Sequence, residues 1–372
     1  MSRGFWPLID ESEDIASTSQ LCIGEIMKYS LQKVIDMLTN IRQLLTFSSV
    51  KQYDVRLYEA GKQLTSSISK SDDSELNLVH EIEKTVMDDR LRLLYHPQVE
   101  LSSGMVVGFE ALLRLDTDLL RNVPPGIFIP LMEKNNLICK VGEWVINNVC
   151  RQRREWHDEG VLTLAGRIAI NLSVSQFYDN KLYDLLIKSM TGHGVLPSMI
   201  ELEITEGTLM EDTENTQSTI NALRELGVVV SVDDFGTGYS SLAYLKYFHV
   251  DCLKIDQCFM QHIVSNIKDQ TIVSAVIKLA HRLGMKTVAE GIENESQLTV
   301  LRRMNCDFAQ GHMFSRPLPA EHVMDFMAQM QAHMMSQQYD GLMKKANLRR
   351  TRFLLKLLMI SVTLALISKS NN

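Results

Sequence analysis

Hydrophobic positions change their period along the chain. From Ile23 to Leu45 they recur at spacings of three and four (Ile23, Ile26, Met27, Leu31, Val34, Ile35, Leu38, Ile41, Leu44, Leu45), which predicts an amphipathic helix. A weaker helical pattern covers Val50–Leu64, and the polar, serine-rich stretch Thr65–Ser74 reads as a linker. After a helix at Leu76–Met87 the pattern becomes short apolar runs alternating with helical segments. The runs predict strands at Leu91–Leu101, Val106–Leu113, Arg167–Leu172, Met199–Ile204, Val228–Asp233, Cys252–Ile255, Lys286–Ala289 and Asp307–Gln310. Helical periodicity occupies Val141–Glu155, Thr216–Leu226 and Thr271–Leu283, with Gly160, Gly227 and Gly284 placed to end those helices. Strict alternation over about 240 residues predicts a parallel sheet covered on both faces. At that length a closed (β/α)8 barrel is favoured over a doubly wound sheet, which would place GxGxxG after an early strand.

Three segments result: an N-terminal helical region with linker at 1–75, a barrel at 76–335 and a C-terminal tail at 336–372. Met327–Met335 reads as a packed helix, and Leu357–Ile367 as an uncharged apolar run behind Arg349, Arg350 and Arg352. Extended to Phe353, that run spans about 22 Å as a helix, short of a hydrocarbon core of about 30 Å. It fits contact with a membrane surface; packing on the protein or on a second subunit is the alternative. The first residues, MSRGFWPLIDESED, lack the apolar core of a secretory signal.

The strand ends carry the chemistry. Val228–Ser241 reads VVVSVDDFGTGYSS, an apolar run delivering Asp233 and Asp234 to its C-terminal end before a glycine-rich loop. One acid there would be a cap; two in succession point to a cation. The other predicted strands end at or beside Glu110, Asn171, Glu203 (with Glu206 three further on), Lys254 and Asp256, Glu290 and Gln310. In a parallel barrel these ends converge on one mouth, where such folds build active sites. Oxygen donors with several carboxylates suit Mg²⁺ or Mn²⁺, and no HxH or HExxH pattern supports zinc. Enough acids are present for two ions sharing Asp233, an arrangement that promotes phosphodiester hydrolysis. Lys254, surrounded by acids, stays charged and could orient a water, stabilise the transition state or pair with Asp256.

Composition narrows the field. A net charge of −7 and a pI near 5.8 argue against a general nucleic-acid binder, while a small anionic substrate held through cations stays open. The six cysteines form no CxxC pair and fall in apolar or helical stretches, as buried thiols in a reducing compartment would.

The motif series resembles the EAL family of cyclic di-GMP phosphodiesterases over about Glu81–Phe326. It runs through Glu110-Ala111-Leu112 with Arg114, Asn171-Leu172-Ser173, Glu203-Ile204-Thr205-Glu206, and Asp233 to Ser241. It continues with Leu253-Lys254-Ile255-Asp256, Ala289-Glu290-Gly291-Ile292-Glu293 and Gln310-Gly311. The resemblance implies an α/β modified TIM barrel in which one strand, Leu91–Leu101, runs antiparallel to the rest. It implies two Mg²⁺ or Mn²⁺ ions: one on Glu110, Asn171, Glu203 and Asp233, the second on Asp233, Asp234 and Glu290. Lys254 would contact the nucleophilic water with Asp256 in support, Arg114 and Gln310 would contact substrate, and Glu293 would support the site. Glu206 would pin the loop after Asp234. The implied reaction is hydrolysis of cyclic di-GMP to linear pGpG by a cytoplasmic homodimer, lowering a bacterial second messenger of biofilm and motility control. The C-terminal tail would add contact with the inner face of the cytoplasmic membrane.

His96, Gln98, Gly207, Gln257, Cys258 and His312 depart from the family pattern, and none of them is an implied metal ligand. Two other readings stand beside the enzyme: a catalytically silent cyclic di-GMP receptor or interaction module, and a two-metal hydrolase of another phosphodiester. The first would be expected to lack a carboxylate, the lysine or the DDFGTG loop, all of which this chain has.

Overall fold

A computed structural model describes residues 72–162, 166–211, 213–236 and 245–345. The helices expected at Ile23–Leu45, Val50–Leu64 and Leu357–Ile367 lie outside the described residues. Helix α1 (Asp72–Met87) leads into the hairpin of β1 (Leu91–Glu100) and β2 (Val106–Leu115), whose turn includes Gly104 at φ +76°. Then follow α2 (Pro125–Lys134), α3 (Ile138–Asp158), β3 (Arg167–Leu172), α4 (Leu182–His193) and β4 (Ile200–Thr205). The second half contains α5 (Thr213–Leu226), β5 (Val229–Phe235), β6 (Cys252–Ile255), α6 (Ile267–Arg282), β7 (Lys286–Ala289), α7 (Glu295–Arg303) and β8 (Phe308–Gln310). A two-residue strand, β9 (Leu318–Pro319), precedes α8 (Ala320–Lys345). Helix α8 runs unbroken across position 335.

Strands β2 to β8 pair in sequence order, all parallel, and β1 closes the ring antiparallel to both β2 and β8. The fold is therefore an α/β TIM-like barrel with one reversed strand, and β9 adds to the free stretch of β1 at Leu94 and Tyr95. The reversal follows from chain economy, because a short turn can only join antiparallel strands whereas every later strand is reached through a helix or longer crossover. Gly160, Gly227 and Gly284 do follow helices, each with positive φ, where a side chain would strain the turn.

Packing around the barrel is apolar outside and polar along part of the bore. Ile138, Val141, Val145, Ile146 and Val149 form a buried stripe on α3, and Trp156 at its far end meets the rings of Tyr95 and Phe109 at 4.6 and 5.3 Å. In β4, Ile200, Leu202 and Ile204 alternate with Glu201 and Glu203, and all five are buried. Alternation makes the two acids share one strand face. Burying two carboxylates in a five-residue run is costly unless partners or a ligand compensate, which directs attention to what Glu203 meets.

Candidate active site

The bore meets solvent at the C-terminal ends of the parallel strands, and a local irregularity in β5 shapes that end. Consecutive strand residues normally point to opposite faces, so Asp233 and Asp234 should diverge. Instead β5 pairs with β6 at Val232↔Leu253 and next at Phe235↔Ile255, so an extra residue bulges out of the ladder. Asp234 takes φ +54°, a left-handed conformation uncommon outside glycine, asparagine and aspartate. The bulge lets both carboxylates serve one mouth.

Two sets of acids meet there among the described residues. Glu110, Glu203 and Asp233 bring one oxygen each within 4.8 Å of one another, as do Asp233, Asp234 and Glu290. Asp233 belongs to both. At their centre lies Lys254, with its side chain 1% exposed and its Nζ 2.7 Å from Glu203, 2.9 Å from Glu290, 3.1 Å from Asp233 and 3.8 Å from Glu110. The Asp233 oxygen is at ion-pair distance but not aligned for a hydrogen bond, and Glu203 Oε1 is buried with no hydrogen-bond partner. One ammonium faces four carboxylates.

The titration behaviour follows from that imbalance. Burial works against the charge on Lys254, but the surrounding carboxylates outweigh it and hold the ammonium well above its usual range. Burial pushes Glu203 well up despite Lys254, with Glu110 and Asp233 adding to the rise. Burial likewise raises Glu290 to about 7 against the pull of Lys254, and raises Asp234, with Asp233 adding to it. Glu110 ends below its usual value: burial pushes it up, but Lys254 and the hydrogen bonds from Gln310 and Asn171 prevail. Oxygen-only donors, an unpartnered buried oxygen and acids unwilling to ionise together fit hard divalent cations.

The remaining sequence-derived residues divide into those brought to this cluster and those held apart. Asn171 Nδ2 donates to Glu110 Oε1 at 2.6 Å and Gln310 Nε2 donates to Glu110 Oε2. Glu206 accepts from the Gly236 amide at 3.1 Å, tying the end of β4 to the residue where β5 leaves the sheet. Gly236 has φ +99°, and a Cβ there would come within 2.7 Å of the Phe259 ring. Asp256 does not pair with Lys254. It turns out of β6 to accept from the Cys258 amide at 2.9 Å, capping a single turn at Gln257–Phe259. Glu293 is exposed and lines a polar pocket of about 200 Å³ with Glu110, Asp233, Glu290 and Gln310, outside both carboxylate sets. Arg114 lies in a neighbouring, more apolar cleft of about 280 Å³ that also reaches Asn171, where it donates to the Leu113 carbonyl at 2.8 Å. Not every cysteine is buried as expected: Cys139 and Cys258 are exposed, and the described cysteines are unpaired.

One residue absent from the sequence-derived set stands in the site. His96 of β1 receives a hydrogen bond from Gln310 at 2.9 Å and lines the polar pocket. Burial lowers its imidazole to about 4, overriding Glu110. Its partner is 214 positions away, which no local pattern reveals; strand alternation, which puts His96 on the opposite face of β1 from the neighbouring Tyr95, was the available signal.

The class this defines is an α/β barrel with a closed ring of strands and a mouth of oxygen donors able to hold cations. Residues 79–317 match the EAL domain, and the chain belongs to that family. The bifunctional diguanylate cyclase/cyclic di-GMP phosphodiesterase MucR of Pseudomonas aeruginosa is 38% identical over 282 residues, 74% of this chain and 41% of that protein. The signaling protein YkoW of Bacillus subtilis is 36% identical over 285 residues, 75% of this chain and 35% of that protein. The chain thus spans less than half the length of these curated relatives. Among solved structures, the PaMucR phosphodiesterase in complex with c-di-GMP aligns with a TM-score of 0.63 at 40% identity, covering 66% of this chain and 99% of that one. The EAL enzyme Bd1971 bound to cAMP and cyclic di-GMP aligns with a TM-score of 0.66 at 29% identity, covering 78% of each chain.

Proposed function

We propose that the barrel, residues 76–335, hydrolyses cyclic di-GMP to linear pGpG with two Mg²⁺ or Mn²⁺ ions. The observation that carries this reading is the sharing of Asp233 by two carboxylate sets around one buried lysine. Glu110, Asn171, Glu203 and Asp233 would hold one ion, and Asp233, Asp234 and Glu290 the other. When bound, the pair would neutralise the phosphate and supply an activated water. Lys254, kept charged by its neighbours, is a fixed donor for oxygens that gain negative charge during phosphoryl transfer. Glu206 keeps the loop after Asp234 in register with β4. Arg114 and Gln310 orient substrate, the first from the apolar cleft and the second from the polar pocket, with Glu293 at its rim and Asp256 supporting the turn behind. The solved structure of the PaMucR phosphodiesterase is a c-di-GMP complex, which supports the choice of substrate.

Further parts of this reading are a homodimer through the barrel helices, a cytoplasmic location and membrane-surface contact by the tail, 336–372. No helix among the described residues is long and apolar enough to cross a membrane. The test is hydrolysis of cyclic di-GMP by the full chain with Mg²⁺ or Mn²⁺, beside metal-free protein and Glu110→Ala. Linear pGpG should form only with metal and with Glu110 intact. Binding of cyclic di-GMP without turnover would replace the enzyme by a receptor, and turnover of other phosphodiesters in preference would replace the substrate.

A further inference from the structure

The Glu110 carboxylate is gripped on both sides by amides. Asn171 Nδ2 donates to Oε1 at 2.6 Å, and Gln310 Nε2 donates to Oε2. The same Gln310 nitrogen donates to His96 Nδ1 at 2.9 Å, while His96 Nε2 lies 3.1 Å from the Ser315 carbonyl oxygen. The ends of this relay decide the direction of every bond. A backbone carbonyl only accepts, so His96 carries its proton on Nε2 and presents a bare Nδ1. A carboxylate also only accepts, so the Gln310 atom between Glu110 and His96 is the NH2 group. Both of its hydrogens are then used. One bond to Glu110 would leave the amide free to turn about that contact; the second, to His96, fixes its plane.

The register of the sheet supports the arrangement. His96 is directly opposite Glu110 in the β1–β2 ladder, and Gln310 is on β8, which flanks β1 on the other side. The histidine therefore braces a residue from each neighbouring strand, and its own anchor is backbone, the Ser315 carbonyl. Resting on the cation site proposed above, we propose that His96 is a positioning residue for Glu110, acting through Gln310 to hold the cation-binding carboxylate in one orientation. Partners of this kind, one contact removed from a metal ligand, typically change metal affinity when lost.

The test is Mn²⁺ binding to the full chain without substrate, read as free Mn²⁺ by electron paramagnetic resonance. His96→Leu should weaken Mn²⁺ binding about tenfold, and Gln310→Ala should do the same. The double variant should be no weaker than Gln310→Ala alone, because the histidine acts through that amide. His96→Gln, which can accept with its oxygen and donate with its nitrogen, should keep most of the affinity. Unchanged affinity in His96→Leu, or losses that multiply in the double variant, would overturn the proposal. If His96→Leu does not fold, ¹⁵N shifts of His96 in the metal-free wild type decide it: a protonated Nε2 and bare Nδ1 support the relay, and the opposite tautomer overturns it. Wild-type Mn²⁺ binding without hydrolysis of cyclic di-GMP would overturn the enzyme reading and leave the positioning role standing. No Mn²⁺ binding by the wild type would overturn both.

Discussion

The two ends of the barrel use carboxylates in opposite ways. At the end where the parallel strands begin, Asp307 and Asp251 are each surrounded by donors. Asp307 accepts from the Thr287 amide and hydroxyl, from Lys286 and from His281; Asp251 accepts from Arg224 and the Val230 amide. At the mouth, four acids face one ammonium and a buried Glu203 oxygen has no hydrogen-bond partner. An acid enclosed by backbone and side-chain donors stabilises the fold; acids enclosed by one another destabilise it until something positive arrives. The proposed function would thus sit at the opposite end of the barrel axis from these donor-enclosed acids, as in barrels whose C-terminal face carries chemistry and whose other face carries stability.

The largest expected effect breaks the mouth. Asp233→Asn removes the carboxylate common to both sets and should lower cyclic di-GMP hydrolysis about a thousandfold or more. Thermal unfolding of the metal-free variant should be no easier than that of the wild type, because a like charge has been taken from a crowded, buried cluster. A large fall in Tm with little loss of turnover would assign Asp233 to the scaffold instead.

The floor should respond the other way. Asp307→Ala leaves the Thr287 amide and hydroxyl without their acceptor, for a loss of about 2 kcal/mol. The exposed Lys286 contact adds little because solvent screens it. Tm should fall by about 4–8 °C for a domain of this size, measured by calorimetry. Turnover per folded molecule should be retained.

Acid and base sharpen the same contrast, because Asp307 and Glu290 are shifted in opposite directions. Asp307 is below its ordinary value: burial raises it, but bonds from Lys286, His281 and Thr287 prevail. Its folded value being lower than its unfolded one, it contributes stability at neutral pH that is lost as the pH falls through about 4 and below. Glu290 is raised by burial from 4.5 to about 7, so its folded form binds more protons than its unfolded form between those values. Metal-free protein should therefore lose part of its stability as the pH climbs through that window. Saturating Mg²⁺ or Mn²⁺ should restore it at pH 7, and Glu290→Gln should flatten the slope. Tm profiles with and without chelator check this; a metal-free Tm that rises steadily through the window and an unaltered slope in Glu290→Gln would show that Glu290 does not govern it.

Much of the frame was legible in the sequence for a physical reason. β3, β6 and β7 have the bounds that their apolar runs predict, since each is a short run that is mostly buried and whose limits are marked by charged or polar residues. The expected antiparallel β1 and the converging strand ends are likewise present. What local pattern could not show are features decided by other strands. The end of β5 depends on its register with β6, so the expected limit at Asp233 falls short of Phe235 and gives no hint of the bulge. Lys254 and Asp256 look like a pair two residues apart, yet β6 stops at Ile255 and Asp256 is drawn to a cap. His96 joins the site through a residue from the far end of the chain.

The smallest effect is expected at Gly207, the departure from the family pattern that lies beside Glu206. A Cβ placed there meets only Thr205 Oγ1 at 3.7 Å, ordinary van der Waals contact, and the position is exposed. No close approach demands glycine, so Gly207→Ser should change stability by about 0.5 kcal/mol at most. The Glu206 bond to the Gly236 amide engages the neighbouring side chain and a backbone donor across the strands, neither of which the substitution touches. Turnover and Mn²⁺ dependence should therefore match the wild type. By contrast, Gly236→Ala would push a methyl into Phe259 at a left-handed backbone, so the same assay should show a clear loss there. Equal effects of the two substitutions would mean that the loop is restrained through Gly207, and that the link from Glu206 to Gly236 is incidental.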